Sequence, residues 1–122
     1  MPADVIAGRM NGQYENGLGR RWHDPHHLKF FGDGTVNFPY PSDGQWFMTQ
    51  HRRWGLLKSE PDYAAVATAV NRVALYREAA AQLGVPLPAS PLRTATLFDG
   101  VVWDARRPAD YAARQISPTT NT

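Results

Sequence analysis

Cysteine is absent from the 122 residues, which excludes disulfides, thiolate nucleophiles and Cys-ligated metal centres. Long apolar runs are also missing. Nothing approaches the ~20 consecutive apolar residues of a membrane-spanning helix, so no direct membrane span is expected. Charge of one sign is scarce: 13 basic residues stand against 11 acidic ones, for a net +2. The sequence pI of about 9.2 therefore reflects a small excess rather than a basic stripe, and no nucleic-acid partner is implied. The recognised catalytic patterns are missing as well, among them a Gly-rich phosphate loop, a GxSxG elbow and HExxH. Neither an enzyme nor a cofactor is expected. The N-terminal MPADVIAGRMNG lacks the basic-then-apolar pattern of a secretory leader, which leads to the expectation of a chain that is cytoplasmic as translated.

What is present fits one small soluble domain rich in irregular structure: 43% hydrophobic residues, ten glycines and ten prolines,. The stretch Trp46 to Gly55, WFMTQHRRWG, organises the rest. Ser42 and Gln45 have the spacing of a capping box, which predicts a helix beginning near Asp43. On it Trp46, Phe47 and Trp54 share a face, and Gly55 supplies the left-handed residue that closes the helix. Burying three such rings would remove roughly 150–250 Å² each from water. His51, Arg52 and Arg53 form a basic last turn, which favours the helix C-terminus and gives a weak anion site at most.

Before this helix, Val5 and Ile6 make a short apolar fragment. Asn11-Gly12, Asn16-Gly17 and Gly19 then predict a loop or loose hairpin. In HDPHH, His23 and His27 are spaced as metal ligands on one helix face, with Asp24 and His26 beside them, but no HExxH pattern supports the ligand set and no metal site is expected. Asp24 and Pro25 read instead as N-cap and N1 of a short helix through Leu28, Phe30 and Phe31. Val36, Phe38 and Tyr40 alternate with polar residues and prolines as a short extended segment.

After Gly55, Ser59-Glu60-Pro61-Asp62 predicts a second helix start with Ser59 as cap. Tyr63, Val66, Ala67 and Val70 form its apolar stripe. A new phase, Tyr76, Ala79, Ala80 and Leu83, follows a cap or kink at Asn71 and ends at Gly84. A small hairpin or an extended wrap is expected around Phe98-Asp99-Gly100, and a last short helix over 108–115. The expected core is Phe30, Phe31, Trp46, Phe47, Trp54, Tyr76, Leu83, Phe98 and Trp103. The expected organisation is an irregular lead-in over 1–22, a helical segment over 23–116 and a frayed tail over 117–122, hence a mainly α chain with short extended segments.

Three runs carry a family resemblance: KFFGDGTVNFPYPSDGQWFMTQHRRWGLLK (Lys29 to Lys58), VNRVALYREAAAQLGVPLPAS (Val70 to Ser90) and LFDGVVWDARRPADYA (Leu97 to Ala112). Together they resemble the C-terminal portion of the nitrate/nitrite/bicarbonate-type solute-binding proteins of ABC transporters. The resemblance implies a C-terminal segment of an α/β, two-lobed (type II) periplasmic-binding-protein-like fold, packed as helices against one lobe. It also implies a periplasmic or membrane-anchored setting and a permease and ATPase as partners. The chain is far shorter than full-length members and lacks both sheet-forming halves. The resemblance thus implies a truncated or split segment whose partner is the missing N-terminal lobes, with the family's ligand residues outside this chain. Two alternatives accompany it: a fragment of a related cytosolic nitrate sensor acting with an antiterminator, and a free-standing helical interaction module.

Overall fold

In a computed structural model, which describes residues 3–32 and 34–115, the chain is mainly helical with two small two-stranded sheets. It divides into two compact units, 1–37 and 38–122. Among the described residues no helix is long and apolar enough to cross a membrane. The expected tail over 117–122 lies outside the described residues.

In the first unit, Ala3–Met10 forms helix α1 where only an apolar fragment was expected. It leads into an antiparallel hairpin of β1 (Gln13–Glu15) and β2 (Arg21–His23). The Asn16 carboxamide oxygen closes the turn by accepting the N–H groups of Leu18 and Arg20. The helix expected from Asp24 does not form. Asp24 Oδ1 accepts the His26 N–H at 2.8 Å, and the His27 N–H reaches the Asp24 carbonyl, so the local bonds are spent on a single turn,. Phe30 and Phe31, at 61% and 50% exposure, therefore have no helical face to bury and are not core residues.

The second unit is built on α2 (Pro41–Arg53), which packs against both α3 (Tyr63–Val70) and α5 (Pro108–Gln115). Helix α4 (Val73–Leu83) follows α3, and β3 (Ala95–Thr96) pairs antiparallel with β4 (Val102–Trp103). Proline at N1 starts α2 earlier than the capping-box reading implied, with Tyr40 as N-cap and no side-chain cap,. Gly55 closes the helix as expected. At φ +73 it lets the Leu56 N–H reach the His51 carbonyl at 2.9 Å and its own N–H reach that of Arg52 at 3.1 Å, the paired bonds of a Schellman end,. Helix α3 is capped by Asp62, whose carboxylate accepts the Ala65 N–H at 3.0 Å, and not by Ser59. Asn71 ends α3 and donates from its carboxamide to the Tyr40 carbonyl at 3.3 Å.

The core differs from expectation most on α2. Its buried side chains are Ser42, Gln45, Thr49 and Gln50, along with Pro41, whereas Phe47 and Trp54 are 58% and 64% exposed. Trp46 and Tyr76 are half-buried. Leu83 and Phe98 are exposed, the latter at the tip of the β3–β4 hairpin, so neither joins the core. Trp103 is buried, in company with Phe38, Tyr40, Tyr63, Ala67, Ala80 and Ala112. The reason is steric. Ser42, Gly44 and Thr49 are small, and through them α2 approaches its neighbours closely: a Cβ on Gly44 would collide with Asn71 Oδ1 and lie 3.5 Å from the Ala67 Cβ.

Candidate functional site

The best-organised part of the surface is the junction between the first half of α2 and the segment Arg93 to Trp103. Ser42 is fully buried there and binds that segment twice. Its hydroxyl accepts the Arg93 N–H at 3.1 Å, and its carbonyl accepts the Trp103 indole N–H at 2.9 Å. Arg93 then makes a two-pronged ion pair with Asp43, Nε to Oδ1 at 2.9 Å and Nη2 to Oδ2 at 2.6 Å. Its guanidinium also stacks 4.7 Å from the centre of the Tyr40 ring,. Trp103 packs edge-on to Tyr111 of α5 at 5.1 Å. The hairpin is thereby held to the helix by hydrogen bonds, an ion pair and buried aromatic surface.

Between them remains a cleft of about 230 Å³ lined by Asp43, Trp46, Phe47, Arg93, Ala95, Leu97 and Trp103. Trp46 and Phe47 meet edge to face at 5.3 Å on its α2 side. The Trp46 indole N–H is buried and has no hydrogen-bond partner; among the described residues it is the one buried side-chain nitrogen or oxygen in that condition. The walls of the cleft are largely apolar, and the one cation that lines it, Arg93, is already paired with Asp43, whereas a small inorganic anion needs several convergent donors.

Of the other groups singled out by the sequence, the His23 and His27 rings come together edge to face, with centroids 5.9 Å apart. His23 lies on β2, while His26 and His27 lie in the turn after it, with His27 Nδ1 bonded to the Asp24 carbonyl at 2.9 Å. In the basic last turn of α2, Arg52 is already engaged: Nε donates to Glu60 Oε1 at 2.9 Å and Nη1 to the Leu57 carbonyl at 3.3 Å. Glu60 Oε2 in turn accepts the Tyr63 hydroxyl at 2.6 Å. Burial first, then this hydrogen bond and the Glu60 charge, push the Tyr63 pKa well above the usual phenol range, against a smaller opposing effect of Arg52. A larger hollow of about 670 Å³ runs along the first unit's hairpin beside the stacked Tyr14 and Trp22 rings. Its Arg21 and Glu15 pair with each other at 3.1 Å, and both are exposed.

The Tyr63 arrangement has a measurable consequence. In the unfolded chain tyrosine ionises near pH ~10, whereas folding holds Tyr63 neutral above that. The stabilisation is fully present below about pH 10 and is lost as pH rises beyond it. Thermal melts across this alkaline range should fall more steeply for the native sequence than for Tyr63→Phe; equal slopes would contradict the assignment.

Sequence reasoning missed the roles of Ser42, Arg93 and Gly44, although Pro41 was a visible N1 signal that puts Ser42 inside the helix. No family model and no solved structure matches the chain. Among curated proteins it is 37% identical over 116 residues to the nitrate/nitrite binding protein NrtA of Synechocystis, which covers 91% of this chain and 26% of NrtA. To the bicarbonate-binding protein CmpA of Synechococcus elongatus it is 38% identical over 86 residues, 64% of this chain and 19% of CmpA. The chain is homologous to a segment of the nitrate/nitrite- and bicarbonate-binding proteins. It corresponds to their C-terminal portion and spans about a quarter of the length of NrtA. A stretch of the nitrate import ATP-binding protein NrtC of Synechocystis is also similar, at 33% over 78 residues, 64% of this chain and 12% of NrtC. NrtA and CmpA are named for binding and not for catalysis, in line with the missing catalytic patterns.

Proposed function

We propose that the chain serves as the C-terminal structural segment of an ABC-transporter solute-binding protein for nitrate, nitrite or bicarbonate, in a two-lobed α/β fold. The observation that carries this reading is the similarity to NrtA, continuous over 91% of this chain but confined to 26% of NrtA. The anion would be held by residues of the lobes, and the helices of this segment would brace them. Exposed apolar side chains are compatible with the bracing role: Phe47, Trp54, Leu56, Val70, Leu75 and Leu83 are each more than half exposed, and packing against the lobes would bury such surface. Assembly with a permease and ATPase, in a periplasmic or membrane-anchored setting, belongs to the same reading.

A second reading places the segment in the ATP-binding component, and the similarity to NrtC supports it. A chimera separates the two. With this chain in place of the matched 116 residues of Synechocystis NrtA, the protein should fold and bind nitrate within about tenfold of the parent, a difference of about 1.4 kcal/mol. A chimera that folds poorly or ignores nitrate would contradict the binding-protein reading.

A further inference from the structure

The turn of the first unit's hairpin carries chemistry that bracing a lobe does not use. Asn16 precedes Gly17, and both are exposed. The Asn16 Oδ1 accepts the Leu18 N–H at 2.9 Å and the Arg20 N–H at 3.1 Å. No described group accepts the Gly17 N–H, and a Cβ built on Gly17 would meet nothing within 4 Å. The ring closed by the Leu18 bond contains both the Asn16 carboxamide carbon and the Gly17 nitrogen, so electrophile and nucleophile are held in one tight turn. We infer that Asn16 is a site of spontaneous modification: the Gly17 nitrogen closes on the Asn16 side chain, ammonia leaves, and water opens the ring to an aspartyl or isoaspartyl residue.

In the first step the Gly17 nitrogen gives its proton to hydroxide, bonds to the Asn16 Cγ and pushes the carbonyl electrons onto Oδ1. The Leu18 and Arg20 N–H groups already donate to that oxygen and stabilise the charge it gains, as paired backbone donors do in an oxyanion hole. The oxyanion then collapses, the Cγ–Nδ2 bond breaks, and Nδ2 takes a proton from water and leaves as ammonia. A cyclic imide remains. Water adding at Cγ gives aspartate; water adding at the main-chain carbonyl gives isoaspartate, whose backbone is longer by a methylene. That lengthened link disturbs the bond from the Asn16 N–H to the Arg20 carbonyl, 3.2 Å long, which closes the hairpin beside the turn. Asn11-Gly12 is the same dipeptide in the opposite setting. Gly12 is buried, its N–H donates to the Arg9 carbonyl at 3.2 Å, and its carbonyl accepts the Asp24 N–H at 2.8 Å. Turning its nitrogen toward the Asn11 side chain would strain both bonds, and the His27 ring occupies the space beside it.

The test is incubation of the full chain in mildly alkaline buffer, with and without guanidinium chloride, followed by peptide mapping with mass spectrometry that scores ammonia loss and isoaspartate at each Asn-Gly pair. In guanidinium chloride, where no fold distinguishes them, the two pairs should react at similar rates. In buffer, Asn16 should react at least as fast as it does unfolded, while Asn11 should slow by at least about tenfold. The Asn16 rate should rise with pH, because the Gly17 nitrogen must lose its proton to attack. Asn16→Gln keeps the carboxamide but moves its carbon one bond further from the Gly17 nitrogen, and should remove the acidic product that accumulates in the folded native sequence. An Asn16 that reacts more slowly folded than unfolded would overturn the assignment, as would equal rates at Asn11 and Asn16 in the folded chain. Acidic product forming undiminished in Asn16→Gln would place the reaction elsewhere and overturn it equally.

Discussion

Trp103→Ala should destabilise the second unit by about 3–5 kcal/mol, the range for emptying a buried indole site. Trp103 is 4% exposed, donates to the Ser42 carbonyl and packs against Tyr111, so truncation removes apolar burial and a hydrogen bond together and leaves a cavity between α2 and α5. Trp103→Phe keeps an aromatic ring but loses the hydrogen bond and the second ring of the indole, and should cost about 1–3 kcal/mol. Trp54→Ala, at a site 64% exposed, should stay within about 0.5 kcal/mol of the native sequence. Denaturant titration of the three variants separates these values. A Trp103→Ala loss below ~1 kcal/mol, or an equal loss for Trp54→Ala, would contradict the packing described.

Gly44→Leu should destabilise by about 1–3 kcal/mol although leucine is the better helix former by about 1 kcal/mol. The sign is the informative part. On an open helix face the exchange would stabilise. Here the new Cβ meets Asn71 Oδ1 and already lies in van der Waals contact with the Ala67 Cβ at 3.5 Å, which leaves little room for a longer side chain. Moving Asn71 aside also breaks its bond to the Tyr40 carbonyl. Combined with Asn71→Ala, the substitution should cost less than the two single losses added, because the collision is shared between neighbours. An additive double variant, or a stabilised single one, would show that the two helices do not approach as described.

These two results bear on what the sequence made legible. Local signals worked where neighbours in the chain decide the outcome. Gly55 ends α2, the Phe98-Asp99-Gly100 turn joins two paired strands, and α5 runs from Pro108 to Gln115. They failed where distant residues decide. The aromatic face of α2 has the pattern of a core face, yet the face turned inward is the polar one. Ser42 takes its partners from Arg93 and Trp103, 51 and 61 positions away, and no helical periodicity records them. The same competition defeated the capping box, since the Ser42 hydroxyl that would cap the helix is committed to the Arg93 N–H. Phe30 and Phe31 failed for another reason: the helix expected to present them is replaced by a turn that Asp24 stabilises. Of the candidate site, Trp46 and Phe47 were legible as an aromatic pair. The cleft was not, because its opposite wall comes from the segment after Ser90.

The central claim is that this chain contributes structure to an anion-binding protein without itself forming the anion site. It is tested most directly by calorimetric titration of the isolated chain with nitrate, nitrite and bicarbonate in turn, with the NrtA chimera titrated beside it. The account predicts no heat beyond dilution from the chain for any of the three, and saturable binding of nitrate by the chimera. A micromolar dissociation constant for any of these anions on the isolated chain would contradict it.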